Sequence, residues 1–159
     1  MFIVQVHFPC KNYTMNVYNQ YLELLENILS LYNDQGLTVV LGDFNTELLS
    51  QRNPVAPVIE YNGPLLNAFA LKYYLCAIHT LDWCQVSLFS NVPFNSSRET
   101  YIDHIFVNKN YIGCINYCKI LENSSLNVST HRPILLSLCN IFAMDILNDE
   151  PKNIINWQN

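Results

Sequence analysis

Charge is scarce in this chain: only 13% of its 159 residues are Asp, Glu, Lys or Arg, and just 8 are basic. With a formal net charge of −5 it has no cationic excess with which to hold nucleic acid by electrostatics alone. Contact with phosphate through a bound divalent cation stays open, because such an ion offsets clustered carboxylates. No apolar run reaches the roughly 20 residues of a membrane-spanning helix. No secretory signal stands at the start. The expectation is therefore a soluble intracellular protein, nuclear or cytoplasmic, with no membrane partner. Cys-x-x-Cys pairs are missing too. The six cysteines (Cys10, Cys76, Cys84, Cys114, Cys118, Cys139) read as buried free thiols of a reducing compartment, several of them inside apolar runs. Cys114 and Cys118 have no His nearby in sequence to complete a zinc site. There are no repeats, low-complexity tracts or linkers, so one domain is expected over 1–142, with a loose tail over 143–159.

What the chain does hold is core material. Half of it is hydrophobic and 13% is aromatic, a globular composition rather than a disordered one. Asn is also frequent, with 21 copies, which drains meaning from the four Asn-x-Ser/Thr sequons at Asn12, Asn95, Asn123 and Asn127.

Periodicity divides the chain into elements. A strand is expected over Phe2–Phe8, stopped by Pro9. Apolar residues then recur at helical spacing at Tyr18, Tyr21, Leu22, Leu25, Ile28, Leu29 and Tyr32, with Gln20, Glu23, Glu26, Asn27 and Ser30 on the other side. Gly36 is expected to cap this helix in the left-handed conformation. A buried strand over Leu37–Leu41 completes a strand-helix-strand unit, whose following loop is where ligands commonly bind. Residues 50–64 read as loop, with Pro54, Pro57 and Pro64. A short helix is expected over Leu65–Tyr74, loosely patterned β structure over 76–94, and strands near Tyr101–Val107 and Ile134–Leu138.

Three short segments carry chemistry. Gly42-Asp43-Phe44-Asn45 follows the second strand; Tyr101-Ile102-Asp103-His104-Ile105-Phe106-Val107 and Ser129-Thr130-His131-Arg132-Pro133-Ile134 come later. Asp43 and Asn45 are ordinary turn formers when taken alone. Asp103 lies in an apolar strand, where an unpaired carboxylate is costly. Alternation places it with Ile105 and Val107, and sets His104 with Phe106 on the opposite face. Two carboxylates, an amide and an imidazole brought to one point are the kit for metal-assisted attack on a phosphate ester.

In that order these segments resemble the endonuclease/exonuclease/phosphatase superfamily, metal-dependent phosphodiesterases of the DNase I type. Val6-His7-Phe8-Pro9-Cys10, and Thr80-Leu81-Asp82-Trp83-Cys84 leading through Val92-Pro93-Phe94, are similar to the endonuclease domains of non-LTR retrotransposons. The resemblance runs over roughly Phe2 to Leu138. It matches only the second half of the family's domain and implies an α/β fold, one half of a DNase I-like two-sheet sandwich. It further implies Mg2+-dependent (or Mn2+-dependent) hydrolysis of a phosphodiester in DNA. Asp43 would activate water, Asn45 would hold a phosphate oxygen, and His131, supported by Asp103, would stabilise the transition state. His7 stands where the family has an aromatic hydroxyl and would donate to phosphate.

The chain departs from that pattern at two further points. Thr130 replaces the Asp that precedes the family's histidine, and a hydroxyl does not ionise near neutral pH. The family's metal-binding Glu belongs to an N-terminal half that this chain lacks. No acidic residue precedes Glu23, which lies on the polar face of its helix, so the metal ligands are unassigned. Three readings follow: a truncated, impaired nuclease; a non-catalytic remnant that associates with another chain; and a phosphatase on lipid or small phosphate esters. A half sandwich also leaves a sheet face bare, which predicts self-association.

Overall fold

Alternation at the start of the chain produces β1 (Phe2–His7), whose even residues are half-buried while Ile3, Gln5 and His7 stay exposed. The computed structural model describes residues 1–10, 12–48, 62–81, 84, 89–92, 99–122 and 128–139. After β1 come α1 (Met15–Tyr32), β2 (Thr38–Asp43), α2 (Asn62–Lys72), β3 (Leu75–Ala77), β4 (Asp103–Asn108), β5 (Ile115–Ile120) and β6 (Ile134–Leu138). The first four strands in space run β1-β2-β4-β3, with β1 and β2 parallel and β4 antiparallel to both its neighbours. β5 and β6 pair antiparallel as a separate sheet.

Two apolar cores hold these layers together. In one, Tyr18, Leu22, Leu25 and Leu29 of α1 and Leu66, Phe69 and Ala70 of α2 pack on Val40 and Phe106, with Phe8 and Phe44 at the end of the cluster. In the other, Val39, Ile105 and Val107 meet Ile115 and Cys118 of β5 and, half-buried, Ile134, Leu136 and Leu138 of β6. The described residues thus form a helix layer, a four-stranded sheet and a two-stranded sheet. That second sheet stops short of β1, leaving Ile3 62% exposed. An open apolar groove of about 450 Å³ lies there, lined by Ile3, Val39 and Leu41 on one side and Ile134, Leu136 and Leu138 on the other. Among the described residues no helix is long and apolar enough to cross a membrane.

Several element boundaries differ from the sequence reading for physical reasons. β2 runs on to Asp43, so Asp43 is the last residue of a strand rather than part of a loop. Gly42 permits this: its φ is 143°, and a Cβ there would land on the carbonyl oxygen of Val6 in the neighbouring strand. The helix α1 ends through Asn33 in right-handed geometry, with the Asn33 N–H donating to the Leu29 carbonyl. Gly36 comes later at φ 145°, well away from the left-handed cap conformation. α2 begins before Pro64 because a proline in the first helical turn forfeits no intrahelical hydrogen bond. β5 was not anticipated; its burial does not alternate cleanly, and a bulge interrupts its pairing between Ile115 and Tyr117. The thiols are free, but of the six only Cys84 and Cys118 are buried, and Cys10 is exposed. Most of the 50–64 loop, Asp82, Trp83, Pro93, Phe94, residues 123–127 and the 143–159 tail lie outside the described residues.

Candidate active site

Strand register alone brings three of the expected residues into one row. His7 pairs with Asp43 across β1 and β2, and Asp43 pairs with Asp103 across β2 and β4. The segment before β6 adds His131, whose Nδ1 lies 2.9 Å from Oδ2 of Asp103 and 3.1 Å from Oδ1. Donor atoms of Asp43, Asp103 and His131 fall within 4.8 Å of one another.

The local sequence explains how Asp43 and Asn45 are presented. Phe44, between them, is completely buried against Phe8, Phe106 and His104, and acts as a plug that turns its neighbours outward. Tyr18 of α1 donates its hydroxyl hydrogen to the Phe44 carbonyl at 3.2 Å. Asn45 adopts φ 49°, a left-handed conformation that Asn tolerates better than most residues. Its N–H donates to Asp43 Oδ1 at 2.8 Å. Its side-chain amide donates to Asp43 Oδ2 at 3.1 Å and to the Phe8 carbonyl at 2.9 Å. Both amide hydrogens of Asn45 are therefore engaged within the protein. As it stands Asn45 orients Asp43, and donation to a phosphate would require it to release one of these bonds.

Electrostatics single out Asp43. Burial pushes its carboxyl above the ordinary range, the nearby Asp103 adds to this, and the Asn45 N–H, His131 and His7 oppose it. His7 lies at the mouth, with Nε2 3.7 Å from Asp43 Oδ2 and a side chain 80% exposed. An exposed contact of that length adds little stability but leaves the imidazole free to swing towards a ligand.

Behind the row sits His104, fully buried, with Nε2 2.8 Å from the Thr46 carbonyl. A carbonyl only accepts, so Nε2 carries the hydrogen in either charge state. Burial lowers its pKa to about 4. Its place on the face opposite Asp103 agrees with the alternation read from the sequence. Thr130, which the sequence resemblance sets in place of an Asp, is half-buried, and its carbonyl accepts the Val92 N–H at 2.8 Å.

The residue that sequence reasoning missed is Ser90. It is fully buried and donates to Asp103 Oδ2 at 2.8 Å. It lies in the loosely patterned segment between Cys76 and Phe94, where no periodicity or motif marks it out.

A divalent cation suits this donor set. Two carboxylates supply the oxygens that Mg2+ and Mn2+ prefer, and an imidazole is acceptable to Mn2+. The carboxylate oxygens accept from Asn45, Ser90 and His131. Each ionised carboxylate offers about four lone-pair sites, so room for an ion remains.

The sequence matches no known family model, and no curated protein sequence matches it. The fold, by contrast, has many solved counterparts. A 3′-5′ exonuclease (NExo) from Neisseria meningitidis superposes with a TM-score of 0.66 at 14% identity, covering 86% of this chain and 60% of that one. The endonuclease domain of TRAS1, a telomere-specific non-LTR retrotransposon, gives 0.57 at 15% identity, covering 76% and 51%. The mannosyl-6-phosphatase Bt3783 of Bacteroides thetaiotaomicron gives 0.58 at 22% identity, covering 86% and 50%. The chain has the endonuclease/exonuclease/phosphatase fold, the DNase I-like α/β architecture read from its motifs. It spans roughly half the length of these solved structures.

Proposed function

We propose that this chain carries the second half of a metal-assisted phosphoester-hydrolysing site, of the phosphodiesterase type, with DNA as the substrate. The observation that carries this reading is the convergence of Asp43, Asp103 and His131 within 4.8 Å at one end of the sheet. The likeness of the fold to an exonuclease and a retrotransposon endonuclease supports the choice of nucleic acid.

In this reading a water molecule lies against Asp43. A carboxyl raised above its ordinary range by burial accepts the water's proton more readily than an exposed one, as a general base must. The water oxygen attacks phosphorus and the P–O bond to the leaving oxygen breaks. His131, held by Asp103 through Nδ1, would stabilise negative charge on a phosphate oxygen as it builds. Asn45 keeps Asp43 aligned, and His7 reaches the phosphate from the rim. Asp43 and Asp103 would hold Mg2+ or Mn2+, and the ion when bound would neutralise charge on the leaving oxygen.

Nicking of supercoiled plasmid, run beside phosphate release from a soluble monoester, tests this reading. Metal-dependent nicking that is lost in Asp43→Asn and His131→Gln is the expected result. Phosphate release without nicking would move the assignment to a phosphatase, the activity named for the Bacteroides relative in fold. No turnover of either substrate, with or without metal, would overturn the hydrolytic reading.

A second reading rests on the open groove beside β1. Apolar surface from both sheets lines it, and Asp103 and Arg132 border it as well. Such a surface suits a partner that covers the sheet and completes the site from outside, whether a second copy or another chain. In this reading the isolated chain is a non-catalytic half that works only through association.

A further inference from the structure

Ser90 occupies the point where the segment carrying His131 crosses the strand carrying Asp103. Its hydroxyl oxygen accepts the N–H of Ile102 at 3.1 Å and the N–H of Asp103 at 3.0 Å, and its hydrogen goes to Asp103 Oδ2 at 2.8 Å. A hydroxyl has one donor and two acceptor sites. With both acceptor sites filled by backbone N–H groups, the single hydrogen is directed at the carboxylate. The hydroxyl therefore cannot rotate away without giving up two further bonds.

The backbone of the same residue fixes the other partner. The Ser90 carbonyl accepts the Arg132 N–H at 2.7 Å, and two residues on, the Val92 N–H donates to the Thr130 carbonyl at 2.8 Å. His131 is thus bracketed on both sides, with Asn91 as its bridge partner. The Ser90 N–H in turn donates to the Thr100 carbonyl at 3.0 Å, tying the segment to the entry of β4. One fully buried residue sets the carboxylate's rotation through its side chain and the imidazole's backbone through its carbonyl.

We infer that Ser90 is the positioning residue of the Asp103–His131 pair. This rests on reading that pair as the working pair of the site. Nothing about Ser90 places it against a substrate; it acts through Asp103.

The test is the hydrogen-bonded Nδ1–H of His131, observed by NMR at one fixed pH as a low-field imidazole resonance and assigned by its loss in His131→Gln. The resonance is expected in the native chain and in Ser90→Thr, which retains the hydroxyl. It is expected to vanish in Ser90→Ala, as it does in Asp103→Asn, and Ser90→Ala should change nothing further in an Asp103→Asn background. Ser90→Ala leaves two N–H groups without an acceptor, so Ser90→Cys, with the same shape and a weak donor, is measured beside it. Weakening of the resonance in a folded Ser90→Cys chain supports the inference. An unchanged resonance in folded Ser90→Ala or Ser90→Cys overturns it and leaves Ser90 a connector of strands. Survival of the resonance in Asp103→Asn would instead overturn the Asp103–His131 pairing itself, so the two failures are told apart without an activity measurement.

Discussion

Asp43 and Asp103 face each other directly across β2 and β4, the last residue of one strand against the first of the next. Like charges in that relation are destabilising by up to about 1 kcal/mol, less where solvent screens them. A fold does not keep such a pair for its own stability, and strain of this kind gathers at functional sites. Asp43→Asn keeps an oxygen for the Asn45 N–H and removes the repulsion. The variant is expected to melt higher than the native chain at neutral pH without metal. Because the Asp43 carboxyl is raised, its charged form is the disfavoured one, so the native chain's deficit should grow as pH rises through that range. Added Mn2+ should raise the melting temperature of the native chain and not that of the variant. Differential scanning fluorimetry across pH, with and without Mn2+, checks all three.

His104 gives the chain an acid limit. Its pKa is about 4 in the fold, against about 6.5 for an unperturbed imidazole. Below the unfolded value the unfolded chain binds the proton and the folded chain does not, so stability falls as pH drops from 6.5 towards 4. The loss over that window is on the order of 3 kcal/mol. His104→Gln can keep a donor towards the Thr46 carbonyl without titrating. Urea midpoints at pH 7 and pH 5 should separate widely for the native chain and much less for the variant.

The sequence was most legible where backbone pairing or periodicity places a residue. Apolar spacing located α1, and alternation along β4 put Asp103 and His104 on opposite faces, as the Ser90–Asp103–His131 contacts on one side and the Phe44 and Thr46 contacts on the other confirm. It was least legible where a bond crosses between irregular segments. Ser90 lies 13 residues from Asp103 in a stretch without periodicity, and its importance comes from the bonds that its hydroxyl, carbonyl and N–H make across chain segments. The extension of β2 to Asp43 likewise depends on the Val6 carbonyl passing over Gly42, a close approach between strands that neither segment signals alone.

Gly42 therefore makes a sharp test of the fold around the site. An added methyl would meet the Val6 carbonyl oxygen and would also sit at φ 143°, a conformation foreign to Ala. Gly42→Ala should cost about 3 kcal/mol or more, at the severe end of single substitutions. Denaturant unfolding measures the loss. Gly36→Ala is the control: it has φ 145° but nothing within 4 Å of an added Cβ, so it should cost distinctly less.

Thr130 is the point at which the site departs from the pattern it resembles, and it can be reversed. Its backbone carbonyl holds Val92, a bond indifferent to the side chain. Thr130→Asp should therefore leave the fold intact, at a cost of up to about 1 kcal/mol for a third carboxylate beside the Asp43 and Asp103 charges. A carboxylate beside His131 adds a ligand and an acid–base group, and such groups typically contribute 10²–10⁴ in rate. Metal-dependent plasmid nicking is expected to rise by about 10²-fold or more in the variant. No gain, with Mn2+ affinity also unchanged by calorimetry, would mean that position 130 does not face the reacting phosphate.

The exposed Ile3 offers a direct test of the groove. It is 62% exposed on β1, where the second sheet stops short, and it lines the groove beside Val39 and Leu41. Among the described residues β1 is also an edge strand of its sheet, with one row of backbone groups unpaired. Apolar surface beside an open edge favours pairing with another chain, and a charge placed there is the common natural defence. Ile3→Lys should lower self-association without loss of fold, because Ile3 lies outside both buried core clusters. Sedimentation velocity over a hundredfold concentration range is the measurement. Concentration-dependent growth in the native chain that is suppressed by Ile3→Lys, with unchanged circular dichroism, is the expected outcome. A native chain that stays monomeric throughout would exclude a second copy as the occupant of the groove and leave another chain as the partner that the second reading requires.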